Sequence, residues 1–262
     1  GTIVNWNETA ENGFAAADDE FGRNGSAMRV DMLTKTMETT AVNGKWNLAG
    51  LASAMNAAAT EDVRAIDTVP LLAQLLQGSN APNAQAQQML DQMVAWTASG
   101  GSRLDRDLDG LIDAPGAASM DTAWPRIADA FMKPVLRKQK LLDELDTLFG
   151  RFDEPPGGQY NGWYQYFDRD VRELLGEDVE QPFKNKYCGG GKKRECQKAV
   201  WGAIADAGKA LQNQQGTPDP SAWHASAADE RITFAPGILP TTMRYTNRPT
   251  GIQQVISFNG HR

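Results

Sequence analysis

Lys192-Lys-Arg-Glu-Cys196-Gln-Lys-Ala-Val200-Trp-Gly-Ala-Ile204-Ala-Asp-Ala207-Gly-Lys-Ala-Leu211-Gln-Asn213 is the most regular stretch of this 262-residue chain. Cys196, Val200, Ile204, Ala207 and Leu211 recur every three or four residues, so they share one stripe of a helix. Weaker versions of the same period run upstream. A helix is expected from Ser26, a capping residue, with Met28, Met32, Leu33 and Thr36 following. Others are expected over Leu48 to Ala58 and from Thr60 to Ile66. Another runs through Leu71, Leu72, Leu75 and Leu76 up to Gly78. Pro82 opens the next, with Met89, Leu90, Met93, Val94 and Trp96 on one face. Beyond an acidic loop over 99–116, helices are expected from Gly116 past Pro125 and Pro134, over Leu141 to Phe149, and over Arg169 to Leu175.

The period changes at both ends of the chain. Thr2-Ile3-Val4 is β-branched. Arg231-Ile232-Thr233-Phe234, Met243-Arg244-Tyr245 and Gln253 to Phe258 read as strands between Pro and Gly turns. The expected fold class is therefore α+β and mostly helical. A helical region over 26–225 is inserted between 1–25 and the C-terminal strands of 226–262, and the two ends meet in one sheet.

Composition narrows the function. Hydrophobic residues are 41% and charged residues 23%, enough for a packed core. The net charge of −7 argues against nucleic-acid or anionic-membrane partners. No apolar run reaches the roughly 18 residues of a transmembrane helix, and no charged-then-apolar leader opens the chain. Walker, Gly-x-Ser-x-Gly, His-Glu-x-x-His and dinucleotide motifs are absent. The chain has 2 histidines, His224 and His261, and neither has zinc-ligand spacing to the cysteines. His224 reads as a surface residue.

Cys188 and Cys196 flank a Gly-rich segment that could close a disulfide without strain. Such a bridge would contribute roughly 2–3 kcal/mol and point to export; buried or reactive free thiols are the alternative. In Asp105-Arg106-Asp107-Leu108-Asp109-Gly110-Leu111-Ile112-Asp113, alternate aspartates before a glycine form the first part of an EF-hand-type calcium loop. Position twelve, where a glutamate should close the site, is Gly116. Asp113 at position nine is the candidate to compensate. An acidic surface turn is the competing reading.

Asn5-Trp6-Asn7 pairs an amide donor suited to an oxyanion with Arg29, 22 residues on, in Ser26-Ala27-Met28-Arg29-Val30. Ile3 to Asn7, Arg29 at that spacing, and the tail Tyr245-Thr246-Asn247-Arg248-Pro249-Thr250-Gly251-Ile252-Gln253-Gln254-Val255 resemble the penicillin acylase (penicillin amidase) family of N-terminal-nucleophile hydrolases. Asp109-Gly110, Asp113 to Ala118 and Tyr187 to Gly191 add to the similarity. The match is to the C-terminal half of a family β chain. Glu8 departs from the family's Asn-Trp-Asn-Asn.

The resemblance implies an αββα sandwich contributed by the chain ends. It also implies hydrolysis of an acyl amide by an N-terminal serine whose own α-amine is the base. Asn7 would hold the oxyanion, Arg29 would support it, and Asp18 (with Asp19 beside it) would bind structural calcium. Gly1 is not a nucleophile, and Gly1 blocks the amine of Thr2. The nucleophile is therefore expected outside this chain, on the remaining β-chain segment of a self-cleaving, exported precursor that also yields an α chain. The chain alone should be inactive. No organic cofactor is implied. The alternative is a non-catalytic, calcium-stabilised helical interaction module. A free-standing enzyme of another class lacks a nucleophile–base pair.

Overall fold

The computed structural model describes residues 3–4, 29–41, 43–137, 139–148, 163–179, 182–234, 241–244 and 256. Among them the chain is mostly helical. The elements are α1 (Arg29–Thr40), α2 (Leu48–Thr60), a π-helical turn (Arg64–Thr68), α3 (Val69–Leu76), α4 (Ala84–Ala98), α5 (Pro115–Leu136), α6 (Gln139–Leu148), α7 (Tyr164–Leu175) and α8 (Lys193–Gln215). Two strands follow, β1 (Arg231–Phe234) and β2 (Thr241–Arg244), paired antiparallel with Arg231 opposite Arg244.

Local chemistry sets most boundaries. Asn47 caps α2 by accepting from the Gly50 N–H (2.7 Å), and Asn83 caps α4 by accepting from Ala86 (2.8 Å). Pro70 sits in the first turn of α3, which continues directly from the π-helical turn; lacking an N–H, it leaves the Ala65 carbonyl to accept from the Thr97 hydroxyl (2.7 Å). The continuous α5 accommodates Pro125 and Pro134 in its interior. Each removes a backbone hydrogen bond, and near the first the Arg126 guanidinium donates to the Thr122 carbonyl (2.6 Å). α7 begins at Tyr164, earlier than the expected Arg169. Tyr164 and Phe167 are core residues that extend its buried face.

α5 is the central element and packs on both α4 and α8. The α4 contact needs Gly116: a Cβ there would lie 2.5 Å from the Gln92 carbonyl oxygen and 2.6 Å from Trp96 Cβ. On the other side of α5, Trp124 stacks on Tyr164 of α7 (4.3 Å between centroids) and meets Phe167 edge-on. Trp96, Trp124, Trp163, Trp201 and Trp223 are all buried, so five of the tryptophans are core residues.

The expected disulfide is present: Cys188 and Cys196 are bonded, with Cα atoms 4.9 Å apart. Gly189 makes it possible. Its φ is +57°, and a Cβ would strike the Cys196 nitrogen at 2.4 Å. Buried Asp170 of α7 accepts from the N–H groups of Tyr187 (2.9 Å) and Cys188 (2.7 Å), which fixes the bridged turn to the helical body.

Strand expectations are met in part. β1 matches the expected Arg231 to Phe234, and β2 covers Thr241 to Arg244. Ile3 and Val4 carry no regular structure, and Ile3 is 94% exposed. A β-branched pair becomes a strand only with a ladder to join, and no partner strand lies beside it among the described residues. Nearly all of the expected strand over 253–258 lies outside the described residues. No described helix is long and apolar enough to cross a membrane. Exposed large apolar side chains are spread over α2, α4, the 99–116 loop and α6.

Candidate functional site

Two of the residues singled out by the sequence, Asn7 and Asp18, lie outside the described residues. Arg29 is the first residue of α1, so its backbone is held by a helix whose Met32 is fully buried in the core. Trp46 supports the far end of α1 by donating its indole N–H to the Met37 carbonyl (2.8 Å).

The acidic loop is fully described. Single carboxylate oxygens of Asp105, Asp107 and Asp109 all lie within 4.8 Å of one another. Asp105 is buried, and its Oδ2 accepts from the Gly110 N–H (3.1 Å). Asp109 accepts from Leu111 (2.8 Å). The turn uses positive φ at both Leu108 (70°) and Gly110 (93°). Gly110 takes that conformation without strain, whereas Leu108 is held there by the bonds around it. Three converging carboxylates are oxygen ligands suited to a hard divalent cation. Asp113 does not join them. It accepts from the Arg106 backbone N–H (3.0 Å) and pairs with the Arg106 guanidinium (2.6 Å).

The loop is tethered from both sides. Ile112 is buried, and its N–H donates to the Ala225 carbonyl (2.8 Å), while Ala227 donates to Gly110 (2.9 Å). Half-buried His224 bonds through Nδ1 to the Ile112 carbonyl (2.9 Å), so it fastens the loop to the segment before β1. Trp96 donates to the Ser102 carbonyl (2.9 Å) and fixes the other end.

Directly beneath lies a cluster that sequence reasoning did not find. Arg64 is fully buried and forms a fork with Asp62 (Nε to Oδ1 2.9 Å, Nη2 to Oδ2 2.5 Å) while reaching Asp121 (2.6 Å). Arg103 grips Asp121 through two nitrogens (2.9 and 3.1 Å) and Glu230 through Nε (2.7 Å). Asp62, Arg103 and Glu230 are buried as well. Burial alone would push the Asp121 carboxyl upward, but the Arg103 and Arg64 guanidiniums outweigh it and hold the group below the ordinary aspartate value. Burial opposes the charge on Arg103, yet Asp121, Glu230 and Asp62 hold its pKa above the usual arginine value. The cluster joins the end of α2, the acidic loop, α5 and the residue just before β1. Two arginines without helical or strand periodicity give no local signal; only the fold brings them together.

The penicillin amidase family model matches residues 1–251. The chain belongs to that family. Asn7, Asp18, Arg29 and the whole acidic loop fall inside the matched span. Family membership places the chain among hydrolases of amide bonds, with the disulfide as a structural element of the helical region. No curated protein matches the chain.

Proposed function

We propose that this chain is the C-terminal β-chain portion of a penicillin-acylase-like amidohydrolase, acting on a linear acyl amide. The observation that carries the proposal is the family match over residues 1–251, and Asn7 and Arg29 lie within that span. In this account the nucleophile is an N-terminal serine supplied from outside residues 1–262, and its α-amine takes the hydroxyl proton. The Asn7 side-chain amide donates to the oxyanion of the tetrahedral intermediate, and Arg29 orients that site from the start of α1. The chain ends contribute to an αββα sandwich. The helical region over 26–225 walls the acyl pocket and packs on the rest of the β chain and on the α chain. Without the nucleophile the chain is inactive.

Calcium is the proposed structural ion, with Asp105, Asp107 and Asp109 as ligands in the acidic loop and Asp18 at a separate position. The ion would neutralise carboxylates that otherwise repel one another across 4.8 Å or less. The disulfide is the support for an extracytoplasmic location.

The test is to extend the reading frame upstream of Gly1, express the product with a secretion signal, and take intact masses and N-terminal sequences. Two chains are expected, the larger beginning with Ser, Thr or Cys and containing Gly1 internally. A single uncleaved product would overturn the assignment and favour a calcium-stabilised interaction module.

A further inference from the structure

Among the described side chains of α1, Met32 alone is buried. The helix is also tied to the π-helical turn by Lys35, whose Nζ donates to Asp67 Oδ1 (2.7 Å). The two partners are unequal. Lys35 is 52% exposed, so its attraction is screened by water, whereas the Asp67 side chain is only 9% exposed. Asp67 Oδ2 is buried and accepts no hydrogen bond. An ionised carboxylate at this place loses hydration that one half-exposed ammonium does not replace.

The neighbours add to the imbalance. Asp31 of α1 and Asp168 of α7 both act on Asp67, and they act on each other. Glu61, at the end of α2, draws on Lys35 as well. Against these carboxylates stand Lys35 and Arg172, and Arg172 is shared between Asp168 (2.9 Å) and Glu177 (2.9 Å). The other surroundings bring no relief. α2 and α3 carry no charged residue, and α4 meets the turn through the Thr97 hydroxyl. Arg64, on the turn itself, is engaged by Asp62 and Asp121. On α7, Arg169 lies over the Phe183 ring, Asp170 holds the bridged turn and Glu173 pairs with Lys186. Burial, with Lys35 opposing it, pushes the Asp67 carboxyl up to about 6 and Asp31 above the ordinary aspartate value.

We propose that the seating of α1 is a pH-responsive latch, in which Asp67 and Asp31 take up protons as the helix docks and release them as it lifts with rising pH. A proton held more tightly in the docked state favours docking below the exposed aspartate value of 3.8, and that contribution is lost as pH rises through about 6. α1 is thus held most firmly under mildly acidic conditions. The latch needs no substrate and stands apart from amide hydrolysis. Where that reading holds, it also sets the pH at which Arg29, the first residue of α1, is kept in place.

Hydrogen exchange of the chain tests it, read by mass spectrometry on peptides from α1 and corrected for intrinsic exchange. Protection of α1 amides should be at least about fivefold greater at about pH 5 than at about pH 8, with α8 amides as the reference for global unfolding. Asp31→Asn/Asp67→Asn mimics the protonated pair. It should keep α1 protected at both values and shrink the ratio to about twofold or less. Lys35→Met removes the cation that favours the charged forms and should widen the ratio. Equal weakening of α1 at both pH values in Lys35→Met would mark a purely structural tie and overturn the proposal. So would a wild-type ratio in the double variant, or the same ratio for α1 and α8 in the wild-type chain, a comparison that needs no variant to fold.

Discussion

The acidic loop and the charge cluster beneath it are built from the same residue types in opposite ways. In the loop, Asp105, Asp107 and Asp109 gather through bonds that span a few residues of sequence, and two of the three are exposed. In the cluster, Asp62, Arg64, Arg103, Asp121 and Glu230 come from four separate parts of the chain and are largely shut off from water. The loop is a local design that gathers negative charge in one short segment. The cluster is a tertiary design whose cations are already inside. The difference predicts different sensitivities. The cluster should govern stability directly, whereas the loop should govern it only through what it binds.

The largest effect is expected at Arg103. Replacing it with Met leaves buried Glu230 and half of the Asp121 carboxylate without their guanidinium partner. Loss of about 3–5 kcal/mol in urea unfolding is the expected outcome. A loss under about 1 kcal/mol would mean that the cluster is no stronger than a surface pair. Next is the disulfide. Removing both cysteines as Cys188→Ala/Cys196→Ala should cost roughly 2–3 kcal/mol by the same measurement. The Asp170 carboxylate should still hold the turn, so the fold is expected to persist.

Calcium should act on the loop and not on the cluster. Saturating calcium, about a hundredfold above Kd, would stabilise the chain by about 2.7 kcal/mol, and a chelator would lower the melting temperature. Asp107→Asn/Asp109→Asn should remove the loop's share of that response, leaving only what the separate Asp18 position contributes. A response that survives undiminished in the double variant would contradict the loop as a calcium site.

The smallest effect concerns Glu61, beside the cluster at the end of α2. Burial pushes its pKa up to about 7, against a smaller downward pull from Lys35. A raised native pKa means that the protonated form favours folding. The contribution is complete below the unfolded value near 4.5 and is lost as pH rises through about 7. Asp121 runs the other way. Its lowered pKa contributes stability above the unfolded value of 3.8, and that stability is lost as pH falls below it. Glu61→Gln should therefore flatten the decline in stability between pH 4.5 and 7 and leave the acid limb unchanged, as read by denaturant midpoints across pH.

The comparison also explains what could be read in advance. Helices with a long apolar stripe were legible: the expected Lys192 to Asn213 became α8, Lys193–Gln215, and Leu48 to Ala58 became α2. The disulfide was legible because its spacing and glycines are local. So was the Asp-x-Asp-x-Asp-Gly loop, since all its carboxylates lie in one short segment. The spacing put Asp113 at a ligand position but could not show that it pairs with Arg106 instead of joining the other three carboxylates. His224 read as a surface residue, yet its ring bonds a carbonyl 112 positions away. The Arg64–Arg103 cluster was invisible for the same reason, since its partners are set by how α2, α5 and the segment before β1 meet. Asn7, Arg29 and Asp18 rest on family resemblance, and Asn7 and Asp18 lie outside the described residues.

The most direct test of the central claim is the turnover of Asn7→Ala in the complete, processed protein, measured on a chromogenic acyl amide against wild type. The account predicts normal processing and folding with turnover reduced by about a hundredfold or more, the loss expected when an oxyanion donor is removed. Wild-type turnover in that variant would contradict it.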